Sequence, residues 1–189
     1  MWRLSIIVVV VVVVASLADA GPAPLVIPQV APAIRIDGEL DEVAWRSPAR
    51  TGPFVDAAGA QAAPYSEARF LRDDNYLYLA MYAADEDIRS SDEFVVELSS
   101  SRGRSTFHVT ARGTISPTIA GAHAAVDLDG SLDASDDDDE EWIVEAALPL
   151  ASIPFARDAS VTVRVSRCDT PKDHIKRCGA WSGSIVRRR

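Results

Sequence analysis

The chain has 189 residues and a formal net charge of -9 at pH 7, with 28 acidic against 19 basic side chains. That length suits one domain with a full core. The acidic balance argues against nucleic acid as a partner, because phosphates would be repelled, and the closing Arg187–Arg189 run is too small to reverse it.

The chain opens with Arg3, an apolar run from Leu4 to Val14 broken only by Ser5, and the small-x-small triplet Ala18-Asp19-Ala20. This pattern reads as a secretory signal peptide over residues 1–20. The apolar run is about 11 residues, short of the roughly 18–20 that span a bilayer. The expectation is therefore a secreted or periplasmic protein with no stable membrane span after signal cleavage. A Pro/Ala-rich extended lead-in over residues 21–32 follows, and then one domain over residues 33–189.

Within the domain, strand patterns dominate. Ser66–Arg72, Tyr76–Ala84, Glu93–Ser99 and Thr106–Arg112 come first, then Ala122–Leu128, Trp142–Pro149 and Ser160–Arg167. All are short, rich in β-branched and aromatic residues, and bounded by Asp, Gly, Ser or Asn turns. No helical pattern of 10–15 residues separates them, so they predict an all-β, antiparallel, jelly-roll-like β-sandwich. Asp41–Arg46 and Pro149–Ile153 predict one or two short helical turns, the first capped by Asp41. Tyr76, Tyr78 and Tyr82 share one face of their strand and Leu77, Leu79 and Met81 the other, which predicts burial on both faces. Between Asp127 and Glu141, nine of fifteen residues are acidic, as expected of a solvated loop extended by self-repulsion.

The only two cysteines are Cys168 and Cys178. In an exported protein they are expected to form a disulfide, stabilising by about 2–3 kcal/mol in the chain-entropy model. His174 alone is a weak basis for a metal site, and the C-x-x-C-H pattern of covalent haem attachment is absent.

Five motifs occur in order: "IDGELDEVAW" (Ile36–Trp45), "DDNYLYLAMYAADED" (Asp73–Asp87), "SDEFVVEL" (Ser91–Leu98), "WIVEAALPLASI" (Trp142–Ile153) and "VTVRVSRCD" (Val161–Asp169). Together they resemble carbohydrate-binding module family 9 and its wider superfamily, over about residues 33–182. The resemblance implies a jelly-roll-like sandwich, often attached to extracellular glycoside hydrolases, that binds rather than cleaves. It implies that Gly38 makes a tight turn, that Trp45 points inward as a core anchor, and that Asp37 and Glu39 are turn and rim residues. The partner implied is a glycan end or cell-surface polysaccharide.

In the family, two tryptophans clamp a terminal sugar. Here Arg89 stands near the first position, and Trp181, in a shortened final loop, is the candidate for the second. Arg89, Asp92 and Trp181 are thus the expected carbohydrate-binding residues. The arginine predicts weak binding with a preference for an acidic glycan. Asp85, Asp87 and Asp92 cluster on one turn, where oxygen ligands suit a structural calcium ion, as in family members. No carboxylate pair is singled out for catalysis, and His108 and His123 fall within strands. Two other readings are a b-type haem-binding electron-transfer domain of the same superfamily, using Met81 with Lys172 or Lys176, and an envelope protein-interaction module.

Overall fold

The computed structural model describes residues 23–31, 34–155, 160–172 and 175–187. Residues 1–20, expected from the sequence to be a signal peptide, and His174 lie outside the described residues. Two sheets face each other. The first is six-stranded, in the order β1 (Leu25–Ile27), β11 (Arg177–Arg187), β10 (Val161–Asp169), β5 (Glu93–Ser100), β6 (Gly103–Thr110) and β7 (Ile115–Ser116). The second is five-stranded, in the order β2 (Ala49–Arg50), β3 (Ser66–Arg72), β4 (Tyr76–Ala84), β9 (Glu141–Pro149) and β8 (His123–Asp129). All pairings are antiparallel except β1 with β11. This is an all-β sandwich.

The seven predicted strands are all present, with ends shifted by a few residues at most. The runs β3 and β4 have the predicted bounds, while β6 lies earlier than its predicted span, at Gly103–Thr110. Alternation explains the main core. Phe70, Leu77, Leu79, Met81, Trp142, Val144 and Leu148 from one sheet meet Phe94, Val96, Leu98, Phe107, Val109, Val163 and Val165 from the other. All of these are fully buried. Each such side chain stabilises by roughly 1.5–3 kcal/mol through burial, so the layer contact is the main favourable term.

A second, smaller core lies on the opposite face of the five-stranded sheet. Ile34 and Trp45, from the segment that crosses this face, pack on Leu71, Tyr78, Ala80 and Ala147. Hence β4 buries Tyr78 on one face and Leu77, Leu79 and Met81 on the other, while Tyr82 stays half-buried.

The crossing segment ends in a single 3-10 turn, Val43–Arg46, closed by Trp45 N–H to the Glu42 carbonyl (2.9 Å). The expected Asp41 cap is replaced. Glu42 holds the N-cap position, and its carboxylate accepts the Arg35 backbone N–H (3.1 Å) instead of capping the turn. A single 3-10 turn starts too late for Asp41 to reach it. Pro149–Ile153 contributes only non-helical turns beyond the end of β9.

Candidate functional site

Three places bring polar side chains together. The first is Glu145, in the middle of β9 and fully buried. Its carboxylate accepts Trp45 Nε1–H (2.9 Å), Asp37 N–H (3.0 Å) and Gly38 N–H (3.3 Å). Burial pushes its pKa up to about 7, although the three donors pull the other way. The "IDGELDEVAW" stretch is therefore fastened to the sheet at one carboxylate. Gly38 is required there: its φ is +94°, and a Cβ would approach the Val126 carbonyl carbon to 2.7 Å. Trp45 is buried and inward-facing, and Asp37 accepts the Glu39 N–H (3.1 Å) in the turn.

The second lies where β4 ends, β5 begins and β10 ends. Asp85, Asp92 and Asp169 each offer a carboxylate oxygen within 4.8 Å of the others, all buried. Arg167 lies among them, with Nη2 2.6 Å from Asp85 Oδ2 and 2.7 Å from Asp169 Oδ1. Trp142 Nε1–H also donates to Asp85 Oδ2 (3.0 Å). Burial is the main cause that raises Asp92 to about 7 and Asp169 to about 6, and the Asp85 charge adds to it in both. One guanidinium does not balance three carboxylates in so little water.

The sequence-predicted metal set is only partly brought together. Asp85 and Asp92 share this cluster, but Asp87 turns to Arg89, whose Nε (3.0 Å) and Nη2 (2.7 Å) donate to one Asp87 oxygen. Asp169 was not legible as a member because it is 77 positions from Asp92 in sequence; pairing of Cys168 with Glu93 across β10 and β5 sets them side by side. The residues fit a hard cation in donor chemistry, and Asp169 Oδ2 is buried with no hydrogen-bond partner among the described residues.

The third is the surface of that same loop end. A cleft of about 310 Å³ is lined by Ala63, Pro64, Glu86, Pro171 and Arg177. Of the expected sugar residues, Arg89 and Asp92 meet in the loop between β4 and β5, the Arg89 N–H donating to Asp92 Oδ2 (2.8 Å), but neither lines this cleft. Asp92 is largely buried. Trp181 does not join them. It lies within β11 rather than in a final loop, opposite Val165, and its ring packs against Phe70 in the interior (centroids 6.2 Å apart). Gly183 makes room for it, since a Cβ there would meet the indole at 2.4 Å. The ring is thus partly spent on the core. Glu86 and Arg177 were missed, because a lone Glu and a lone Arg in turn sequence carry no pattern.

Cys168 and Cys178 are bonded directly across β10 and β11, with Cα atoms 4.1 Å apart. They point away from the interior, whereas Arg167 and Asp169 on either side of Cys168 point inward. The three side chains named for haem do not face a common site: Met81 is fully buried in the main core, Lys172 Nζ donates to the Asp137 carbonyl on the surface (2.6 Å), and Lys176 is exposed.

A two-sheet sandwich with a cleft at its loop end is the architecture of many binding modules. No family model matches the sequence, and no curated protein matches it. Solved structures do match in fold. A carbohydrate-binding module family 9 domain from Caldicellulosiruptor kristjanssonii in complex with cellotriose has a TM-score of 0.65 at 16% identity, covering 88% of this chain and 94% of its own. The same kind of domain from that organism in complex with glucose gives 0.65 and 16%, covering 88% and 96%. A candidate carbohydrate-binding protein from Bacteroides uniformis ATCC 8492 gives 0.59 at 11%, covering 87% and 99%. The chain therefore shares its fold with these carbohydrate-binding module family 9 domains over 88% of its length.

Proposed function

We propose that the protein is an exported, non-catalytic carbohydrate-binding domain that takes a glycan end at the loop-end cleft. The observation that carries this is the likeness, along nearly their full length, to domains in complex with cellotriose and glucose. Glu86 and Arg177 supply planar polar groups for sugar hydroxyls, Pro64 and Pro171 supply apolar walls, and Arg89 stands on the same loop as Glu86. With Trp181 turned to the core, no two-ring clamp is assembled from the expected residues, so the affinity is weak, on the order of 0.1–10 mM. A glycan array, run with calcium and with chelator, tests the reading: retention of cello-oligosaccharides supports it, and retention of no glycan sinks it.

A structural calcium ion belongs to the same proposal, with Asp85, Asp92 and Asp169 as ligands in place of the turn trio. The excess of buried negative charge and the unpartnered Asp169 Oδ2 support it. Calcium takes six to eight oxygens, so further ligands would come from backbone carbonyls and water.

A further inference from the structure

The expected preference for an acidic glycan depended on Arg89, but that guanidinium is occupied by Asp87. Two others are not so occupied. Arg102 and Arg104, on the β5–β6 hairpin, are exposed, and among the described residues neither side chain has a carboxylate partner. They border a groove of about 540 Å³ whose lining also includes Gly103, Ser105, Ser152 and Pro154.

The groove is built rather than accidental in shape. Ser100 Oγ donates to the Pro154 carbonyl (2.7 Å) and accepts the Arg102 N–H (3.0 Å), so one hydroxyl ties the hairpin to the segment after β9. Gly103, at φ +130°, makes the tight turn that separates the two arginines by one residue. A third guanidinium, that of Arg187, lies over the Phe155 ring beside this segment (4.4 Å).

The charge of the molecule is also polarised along its length. The acidic stretch packs on the loop before β5, where Asp139 accepts the Ile88 N–H (2.6 Å) and Asp133 the Ser90 N–H (2.9 Å). The arginine hairpin follows the other end of β5. Eight residues of strand separate the two, or roughly 26 Å, against a screening length of about 8 Å at physiological ionic strength. The net charge of -9 therefore does not cancel the local positive field. Toward the arginine end, Glu97 on β5 pairs with Arg164 (3.6 Å), and the turn between β3 and β4 carries Asp73 and Asp74. Asp73 is engaged by the N–H groups of Asn75 and Tyr76 and by the Tyr78 hydroxyl, and Asp74 by Gln29.

We propose that the Arg102–Arg104 groove is a second glycan site, which binds the carboxylate groups of an acidic polysaccharide. Guanidinium forks match planar carboxylates in two-point geometry; the half-buried Ser105 hydroxyl and the exposed Ser152 hydroxyl, which donates to the Ala120 carbonyl (3.0 Å) and can still accept, suit neighbouring sugar hydroxyls. The proposal rests on the glycan reading only in choosing a polysaccharide over other polyanions. Both arginines are exposed and outside the core, so their replacement leaves folding intact.

The test is titration of the full chain with oligogalacturonate and, separately, with cello-oligosaccharide, using wild type, the Arg102→Ala/Arg104→Ala variant and an Arg46→Ala control. Oligogalacturonate should bind wild type and the control, weaken with added salt, and lose about tenfold or more in the double variant. Cello-oligosaccharide binding should not change in any of them. Unchanged oligogalacturonate affinity in the double variant, or no binding to wild type, overturns the proposal. So does tighter arginine-dependent binding of single-stranded DNA or phosphatidylglycerol vesicles. Failure of cello-oligosaccharide alone strikes the loop-end site and leaves this one standing.

Discussion

Replacing Glu145 by glutamine should change how stability depends on pH. Glu145 is fully buried, and its pKa is raised from 4.5 to about 7, first by burial. The folded state therefore holds the Glu145 proton more tightly than the unfolded state. Its contribution is most favourable below about pH 4.5 and declines as pH rises to about 7. A rise of that size corresponds to about 3 kcal/mol. Glutamine carries no such proton, so the stability of Glu145→Gln relative to wild type should improve by about 3 kcal/mol between about pH 4 and 8. Asp92 and Asp169 titrate in both proteins and cancel in the difference. Urea unfolding at a series of pH values, with equal slopes in denaturant, measures this directly. Parallel stability curves for the two proteins would refute the argument, since they would mean that Glu145 titrates normally and is not desolvated.

Trp45→Ala should cost roughly 3–5 kcal/mol, because it removes a large buried ring and leaves Glu145 short of a donor; a loss below about 1 kcal/mol would place the ring outside the core. Unreduced, denatured protein should show close to zero free thiols, and two reactive thiols per chain would contradict the bond between Cys168 and Cys178. Calcium should raise the melting temperature by binding the folded state, and Asp92→Asn should reduce the rise while Asp87→Asn leaves it. Identical melting in calcium and in chelator would leave protons, not an ion, to offset the buried charge.

The parts of the fold that were legible in the sequence are those governed by local alternation. In β4, β5 and β10 apolar side chains recur at every second position, and the strands follow. β11 was illegible because Gly179, Ser182, Gly183 and Ser184 read as loop. Gly179 is there for close approach, since a Cβ would meet Ala62 at 2.5 Å, and the strand is held by Val165 and its neighbours on β10. The short strands β1, β2 and β7 carry too few residues for a period. The candidate site was legible only where its members are neighbours in sequence, as Asp85 and Asp92 of the carboxylate cluster are. Asp169 and Arg167 enter the carboxylate cluster through strand register, and Glu145 reaches Trp45 across 100 positions. Trp181 was read as a loop platform because the family resemblance places its second clamp tryptophan in the last loop; its inward direction depends on the pairing of Trp181 with Val165.

The most direct test of a glycan-binding domain with its site at the loop end is isothermal titration of cellotriose into wild type and Glu86→Ala. Binding of wild type on the order of 0.1–10 mM, weakened about tenfold or more in the variant, is expected. No measurable binding to wild type, or an affinity unchanged by the loss of Glu86, would contradict it.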